Sequence, residues 1–535
     1  MKIKNKYILI LMGLALQGCS DFLEEYSQDK YLVTSYKDLD ELLIGDCYMP
    51  VEVGKYTANA RNVGHFIHFM ADEIEEQNKG YDSGSWYDDN VDKRNLKDPI
   101  YGYYTWQKRV GQNENNTGFF TENYTWNETY RVINVANNII ENAAKVPAVT
   151  DEEKLGATRV RGEASFLRAA YYFWLANLYG KPYVPSQAST DLGVPVKTEA
   201  KVNDIIYQRN TLQQVYAQVL ADLDVAEDCL RPIHKARSIY RADAATVFLL
   251  KSRVHLYMQN WTEAAAYADS VLKLRPELID LNRHDAHKGF LTKESPEVIF
   301  SMGGNDVPCN MDYKFQSFRV SKGLYDLYDD QDLRKSQWWW TFDDFIGYAK
   351  IPYSTKYAEK DPSDYEYYNR GYCYGWLDVQ SPVSDKFLYR TAEAYLNKAE
   401  AEAYMGHDDA ARNALNTLRA HRYATGTVSA VTVSGQQLVE AIRSERQKEL
   451  ALEGHRWFDL RRYSVCEKYP ASHDIVHEYT YYTAFDSKTI VNTKVFTLKA
   501  NDPAYVLPIP QEVIEYNTGI VNNERPDRNY TIKNE

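Results

Sequence analysis

The chain has 535 residues, with 62 Lys and Arg against 75 Asp and Glu and a net charge of −13. It is long enough for one large or several ordinary domains. So acidic a balance argues against nucleic acid, which asks for a basic face. Aromatic content is the unusual feature, with 45 Tyr and 10 Trp. Tyr is immobilised at little entropic cost and has both an apolar body and a hydroxyl, which suits binding surfaces. Packing between helices accounts for most of these rings.

Residues 1–18 have the layout of a secretory signal peptide. Lys2, Lys4 and Lys6 charge its start, and residues 7–16 form an apolar run. A membrane-spanning helix needs about 20 residues, so this run is too short to anchor the chain. Leu16-Gln17-Gly18-Cys19 resembles the bacterial lipobox, although Gln17 departs from the small or aliphatic residue usual there. The resemblance implies cleavage before Cys19 and its acylation, and acyl chains worth about 0.8 kcal/mol per buried CH2 make such an anchor effectively permanent. An ordinary signal peptide followed by an accidental Cys19 is the competing reading. Loss of the three lysines takes the net charge of residues 19–535 from −13 to −16. No second apolar run is long enough to span a membrane. Beyond Cys19, Cys47, Cys229, Cys309, Cys373 and Cys466 are scattered and odd in number. They show neither a disulfide framework nor zinc-like spacing, and a single disulfide stays open.

Apolar residues then recur at helical spacing in several segments. Residues 130–144 carry Val132, Ile133, Ala136 and Ile140; 160–179 carry Ala164, Leu167, Tyr171, Leu175 and Leu178 and stop at Gly180. Further helices are expected over 211–230, 242–258, 261–274, 387–405, 408–422 and 436–453, the last closing at Gly454. Two pairs, 242–274 and 387–422, look like tetratricopeptide units. In such units, small residues such as Ala245, Ala264, Ala268, Ala392, Ala399 and Ala411 let two helices approach closely. The pairs are separated by insertions at about 181–210 and 275–386, rich in Tyr, Trp, Gly, Asp and Asn. Stacked units need neighbours to bury their faces. The expected architecture is therefore mainly α: tetratricopeptide-like pairs in a right-handed superhelical scaffold, about 128–274 and 387–462, forming a single domain. A loop-rich region, about 275–386, would carry binding function.

Glu445, Glu449 and Glu453 stand at i, i+4 spacing and share a helix face. Buried carboxylates need cations, and bidentate Arg is the best partner. Arg446, Arg456, Arg461 and Arg462 lie nearby in sequence. Closing a helix bundle explains the group without invoking catalysis, and Glu163 and Arg168 read the same way, as scaffold pairing. No GxSxG, P-loop, HExxH or GxGxxG motif occurs. His473 and His477, and His284 and His287, have the spacing to share a helix face. Neither pair has a third ligand, so no metal and no cofactor is expected. Acidic residues are plentiful enough to supply a glycosidase pair about 5–10 Å apart, which makes a surface glycoside hydrolase the rival reading.

Four segments together resemble the SusD/RagB family of nutrient-binding lipoproteins. The first runs from Arg161-Gly162-Glu163-Ala164 through Phe166-Leu167-Arg168-Ala169 to Tyr179-Gly180-Lys181-Pro182-Tyr183. The second is residues 389–402, YRTAEAYLNKAEAE. The third joins Ser444-Glu445-Arg446 to Glu453-Gly454 and His455-Arg456-Trp457-Phe458-Asp459-Leu460-Arg461-Arg462. The fourth is Leu507-Pro508-Ile509-Pro510 with Glu512 and Asn517. With the lipobox they span the chain in the family's order. The resemblance implies a non-enzymatic surface receptor on the outer membrane that hands oligosaccharides to a SusC-like, TonB-dependent transporter. Some family members take peptides instead.

Sugars stack their C–H faces on aromatic rings and need polar partners for their hydroxyls. Two stretches offer that mixture. One contains Asp72, Trp86 and Trp106; the other contains Trp338, Trp339 and Trp340, with Trp376 beyond. These are the candidate glycan contacts. Of the run 338–340, at least one ring is expected at the surface, because three consecutive rings do not fit one core.

Overall fold

Capping boxes set the starts of the long helices. Thr150 Oγ1 accepts from the Glu153 amide at 3.2 Å while Glu153 accepts from the Thr150 amide at 2.9 Å, satisfying donors that no helical carbonyl can reach. Thr211 with Gln214 and Asp243 with Thr246 repeat the device. The computed structural model describes residues 33–50, 62–77, 97–115, 117–118, 121–201, 205–305, 307, 311, 318–342, 344–351, 383–482 and 490–533.

Mainly helical architecture results. A short helix, α1 (Tyr36–Leu42), packs on α2 (Thr121–Ala143) and α3 (Asp151–Tyr179), and α3 packs along α4 (Leu212–Leu230). Gly162 permits that last approach: a Cβ there would lie 2.6 Å from Cys229 Cβ and 2.9 Å from Leu230 Cγ. The two expected tetratricopeptide-like pairs are α5 (Ala244–Tyr257) with α6 (Trp261–Leu274) and α7 (Thr391–Met405) with α8 (Asp408–Ala420). Inside the first pair, Ser252 Oγ donates to the Ala264 carbonyl at 2.8 Å, a contact that only small side chains allow. Asn397 of α7 in turn donates to Ser252 Oγ at 3.2 Å. Trp261 stacks on Tyr404 with ring centroids 4.1 Å apart and planes 8° apart. The pairs thus close on each other although the long insertion separates them in sequence. Two helices follow, α9 (Gly435–Glu449) and α10 (Arg456–Ser464).

Strands are short and antiparallel. β1 (Ile74–Glu76) pairs with β3 (Phe318–Val320), β2 (Val298–Ser301) with β6 (Leu388–Arg390), and β4 (Trp339–Phe342) with β5 (Phe345–Tyr348). β7 (Ile475–Tyr482), β8 (Ile490–Leu498) and β9 (Tyr530–Ile532) make a three-stranded sheet. One hydrophobic cluster runs from Leu39 to Ile520, and a second lies between α7, α8 and α9.

Several bounds differ from the sequence expectation. α2 begins at Thr121 because Trp126, Thr125 and Thr129 are buried within an otherwise polar first half. α3 begins at Asp151, where the capping box stands. Residues 388–390 form β6 rather than the first turn of α7. α9 stops at Glu449, so Glu453 lies in the following turn, where its carboxylate meets Arg390 and Lys350. His477 lies in β7 and not on a helix. Cys47, Cys229 and Cys466 are buried free thiols, while Cys309 and Cys373 fall outside the described residues.

The turn after α9 depends on Gly454, whose φ is +77°. A Cβ there would stand 3.1 Å from Lys386 Cα. Backbone strain of this kind costs about 1–3 kcal/mol. Gly454→Val is expected to lower stability by about that amount, as read from the denaturation midpoint; an unchanged midpoint would mean the turn adapts freely.

Candidate ligand-binding face

The early and central parts of the chain meet in a short antiparallel pair. β1 and β3 pair with Glu75 opposite Arg319, and Arg319 Nε holds Glu75 Oε1 at 2.7 Å. The same guanidinium reaches the Asp344 carboxylate at 3.5 Å and its backbone carbonyl. Gln77 donates to Asp344 Oδ1 at 3.4 Å. From Gln77 the chain enters residues 78–96, and from β5 it passes through Ile351 into 352–382. One arginine therefore ties β1, just ahead of the point where residues 78–96 depart, to the turn of the β4–β5 hairpin; Ile351 lies beyond the opposite end of β5. Glu76 fixes β1 from behind: it accepts from the Thr480 amide at 2.9 Å and from its hydroxyl at 2.7 Å. Trp86 and Trp376 lie outside the described residues.

Asp72 sits just before β1, partly exposed. Its carboxylate receives Arg456 Nε and Nη2, both at 2.7 Å, and His473 Nε2 at 3.0 Å. Burial alone would raise its pKa, but Arg456 outweighs it and holds the carboxyl well below the usual carboxylate range. Among the described residues the neighbouring Glu73 has only a backbone donor, the Leu452 amide at 3.1 Å, and burial pushes its carboxyl up to about 8. Adjacent carboxyls are thus shifted in opposite directions, each by its own environment.

The structure corrects the expectation for the other described rings. Trp106 is 1% exposed, donates to the Met70 carbonyl at 3.0 Å and stacks on His477 at 4.4 Å. Trp338, Trp339 and Trp340 are 0%, 2% and 9% exposed. All three belong to the one large buried cluster, but they enter it in different directions. Trp338 precedes the strand and packs on Phe290 at 4.7 Å, with Lys350 Nζ 4.3 Å from its ring centre. In β4, Trp339 and Trp340 point to opposite faces, and both faces are covered. Trp339 meets Tyr328 at 5.9 Å; Trp340 meets Phe345 at 5.1 Å and lies across Gly347. A Cβ at Gly347 would fall 2.1 Å from Trp340 Nε1, so glycine makes room for the ring.

The acidic face of α9 is buried, and its partners come from distant segments. Glu449 is held by Arg334, Arg390 and Arg422, each at 2.9 Å. Glu453 pairs with Arg390 and Lys350, both at 2.8 Å. Glu445 pairs with Arg334 at 2.5 Å and Arg419 at 2.9 Å. Burial opposes ionisation of Glu445, but Arg334, Lys448 and Arg419 hold it down to about 2. The arginines near Glu453 in sequence go elsewhere: Arg446 to Asp459, Arg456 to Asp72, Arg462 to Glu400 and Asp459. Glu163 meets Arg159 and Arg241, and Arg168 meets Asp222, as scaffold pairs. Among the described residues no group of three or more His, Cys, Asp or Glu is placed to hold a metal ion.

Known proteins match this chain along most of its length. A family model described as "SusD family" matches residues 316–526, and one described as "Starch-binding associating with outer membrane" matches 49–256. The chain belongs to the SusD/RagB family. SusD-like protein P38 of Formosa agariphila is 26% identical over 390 residues, which is 64% of this chain and 72% of the relative. SusD-like protein P25 of the same organism is 22% identical over 99% of this chain and 100% of its own. A crystal structure of a SusD superfamily protein from Bacteroides thetaiotaomicron superposes with a TM-score of 0.65 at 20% identity, over 92% of this chain and 100% of that one. Surface glycan-binding protein A from Bacteroides fluxus does so with 0.58 at 18%, over 92% and 97%. Among the described residues of this SusD-family chain, no helix is long and apolar enough to cross a membrane.

Burial reverses the expected behaviour of the tryptophan run in the SusD-family chain. Removing a buried Trp costs about 3–5 kcal/mol. Trp338→Ala is expected to lose that much stability by chemical denaturation. A variant that melts like the parent would place the ring at the surface instead.

Proposed function

We propose that this SusD-family protein is a cell-surface glycan-binding lipoprotein that captures oligosaccharides without cleaving them. In this reading it passes them to a SusC-like, TonB-dependent outer-membrane transporter. The observation that carries the reading is the match of residues 316–526 and 49–256 to models described as "SusD family" and "Starch-binding associating with outer membrane". Residues 78–96 and 352–382 are rich in Tyr and Trp with Asp and Asn beside them, the side chains that a sugar's C–H face and hydroxyls ask for. A related protein is named a surface glycan-binding protein and another a SusD-like carbohydrate binding protein, which supports the sugar class. The carboxylates singled out in α9 are spent on arginine, so they supply no acid–base pair, which favours capture over hydrolysis. In this proposal the mature chain is residues 19–535, a single domain anchored through acylated Cys19 to the outer membrane and facing outward.

Anchoring is tested first. Cys19→Ala is expected to move the protein from the membrane fraction to the soluble fraction and to abolish incorporation of labelled fatty acid. Continued lipid labelling would reject the lipobox reading.

Ligand capture is tested with Trp86→Ala and Trp376→Ala. Stacking on an aromatic ring is worth about 1–3 kcal/mol per contact, by analogy with nucleobases, which is about tenfold or more in affinity. Affinity electrophoresis in a panel of polysaccharides should show that loss, with melting temperatures at the parent value. Parent-like retention of both variants would exclude these rings. Release of reducing sugar by the parent would establish hydrolysis, and retention of peptides in place of glycans would establish a peptide receptor.

A further inference from the structure

Beside α10, the insertion 181–210 and the C-terminal segment line a cavity of about 600 Å³. Its charges do not cancel. Lys181 is paired with Asp191 at 2.7 Å, and Asp502 with Arg528 at 2.8 Å. Two guanidiniums remain without a carboxylate among the described residues. Arg209 donates only to carbonyl and amide oxygens, of Gly193, Val521, Asn523, Tyr179 and Leu192. Arg461 is 2% exposed and donates through Nη2 to the Gly180 carbonyl, while its Nε and Nη1 have no hydrogen-bond partner among the described residues. The remaining acid on the wall, Glu524, is exposed.

A buried charge without a partner is costly, and a guanidinium with free donors matches a carboxylate in shape and charge. Burial draws both Arg209 and Arg461 down to about 10, the direction a cation takes when no anion compensates it. The rest of the wall suits a sugar rather than a bare ion. Gln187, Thr190, Asn501 and Asn522 offer polar groups for hydroxyls, and Pro182 and Val506 offer apolar faces.

We infer that this cavity is a second ligand site that takes a carboxylate-bearing sugar, a uronic acid residue, with its carboxylate turned toward the free donors of Arg461 while Arg209 contributes positive charge. None of its lining residues belongs to β1 or β3, and the site does not rest on the glycan platform proposed above. Its failure would leave that platform standing, and failure of the platform would leave this site.

The test is titration of the full-length protein, isolated in detergent, with D-galacturonate, D-galactose and acetate, followed by calorimetry. Galacturonate is expected to bind at least tenfold more tightly than either control, and more weakly as salt rises. Thr190→Trp, placed on the exposed rim, should remove galacturonate binding while the melting temperature stays at the parent value. Arg461→Gln should weaken it at least tenfold, and Arg461→Lys should recover part of the loss. Equal binding of galactose would overturn the role of the carboxylate. Equal binding of acetate would overturn the sugar. Undiminished galacturonate binding to Thr190→Trp would overturn the placement, whether or not the Arg461 variants fold.

Discussion

Glu449 is the point on which the interior depends. Its carboxylate meets Arg334 from the central insertion, Arg390 from the strand before α7, and Arg422 from the end of α8. Arg390 and Arg422 also share Glu297, just ahead of β2, at 3.0 and 2.8 Å. Helix packing alone would leave the insertion free to slide on the scaffold. Charges buried to this extent tolerate one arrangement, because any group displaced from its partners would stay desolvated and uncompensated. Loss of one member of such a set costs about 3–5 kcal/mol. Specificity of placement is what the network contributes, since apolar groups of similar size would hold the same elements together more loosely in register.

That constraint explains the tryptophans. Trp338 lies against the network, with the Lys350 ammonium over its ring and Arg334 and Arg422 within 6 Å. A large aromatic face is the one apolar surface that attracts a cation, and it shields the ion pairs from water. The hairpin β4–β5 then continues from a fixed start, so Trp339 and Trp340 fill spaces on either side of it. Rings that look surplus to a core in sequence are the lid of a charged interior. A ligand platform must therefore be built from what projects beyond this lid, not from the lid itself.

Helix periodicity was legible because it is local. α4 and α6 stand where the apolar spacing puts them, within a residue at either end. Acidic spacing likewise showed that Glu445 and Glu449 share a buried face. The choice of arginines was not legible, because Arg334, Arg390 and Arg422 come from 27 to 115 positions away, and nothing local distinguishes them from Arg446 or Arg462. The Trp run misled for a related reason. Three adjacent rings cannot all point the same way, but a strand buried on both faces lets one large cluster take them all, and that is a property of what packs on the hairpin. Asp72 was expected as a glycan contact from its aromatic neighbours in sequence, and its commitment to Arg456, 384 positions away, was not legible.

α10 shows how one short motif serves several faces at once. At 3.6 residues per turn, Arg461 and Arg462 stand about 140° and 240° around the axis from Arg456. Arg456 accordingly reaches the Asp72 carboxylate beside β1, and Arg462 reaches Glu400 of α7 at 2.5 and 2.7 Å. Arg461 is left on the third side, against the C-terminal carbonyl of α3. Two of the three find carboxylates and tie α10 to the start of β1 and to α7. The third meets only a backbone oxygen, at the wall of a cavity. Stability explains the first two pairings completely; it does not explain a buried guanidinium with donors to spare, which is the arrangement a site for an anionic ligand requires.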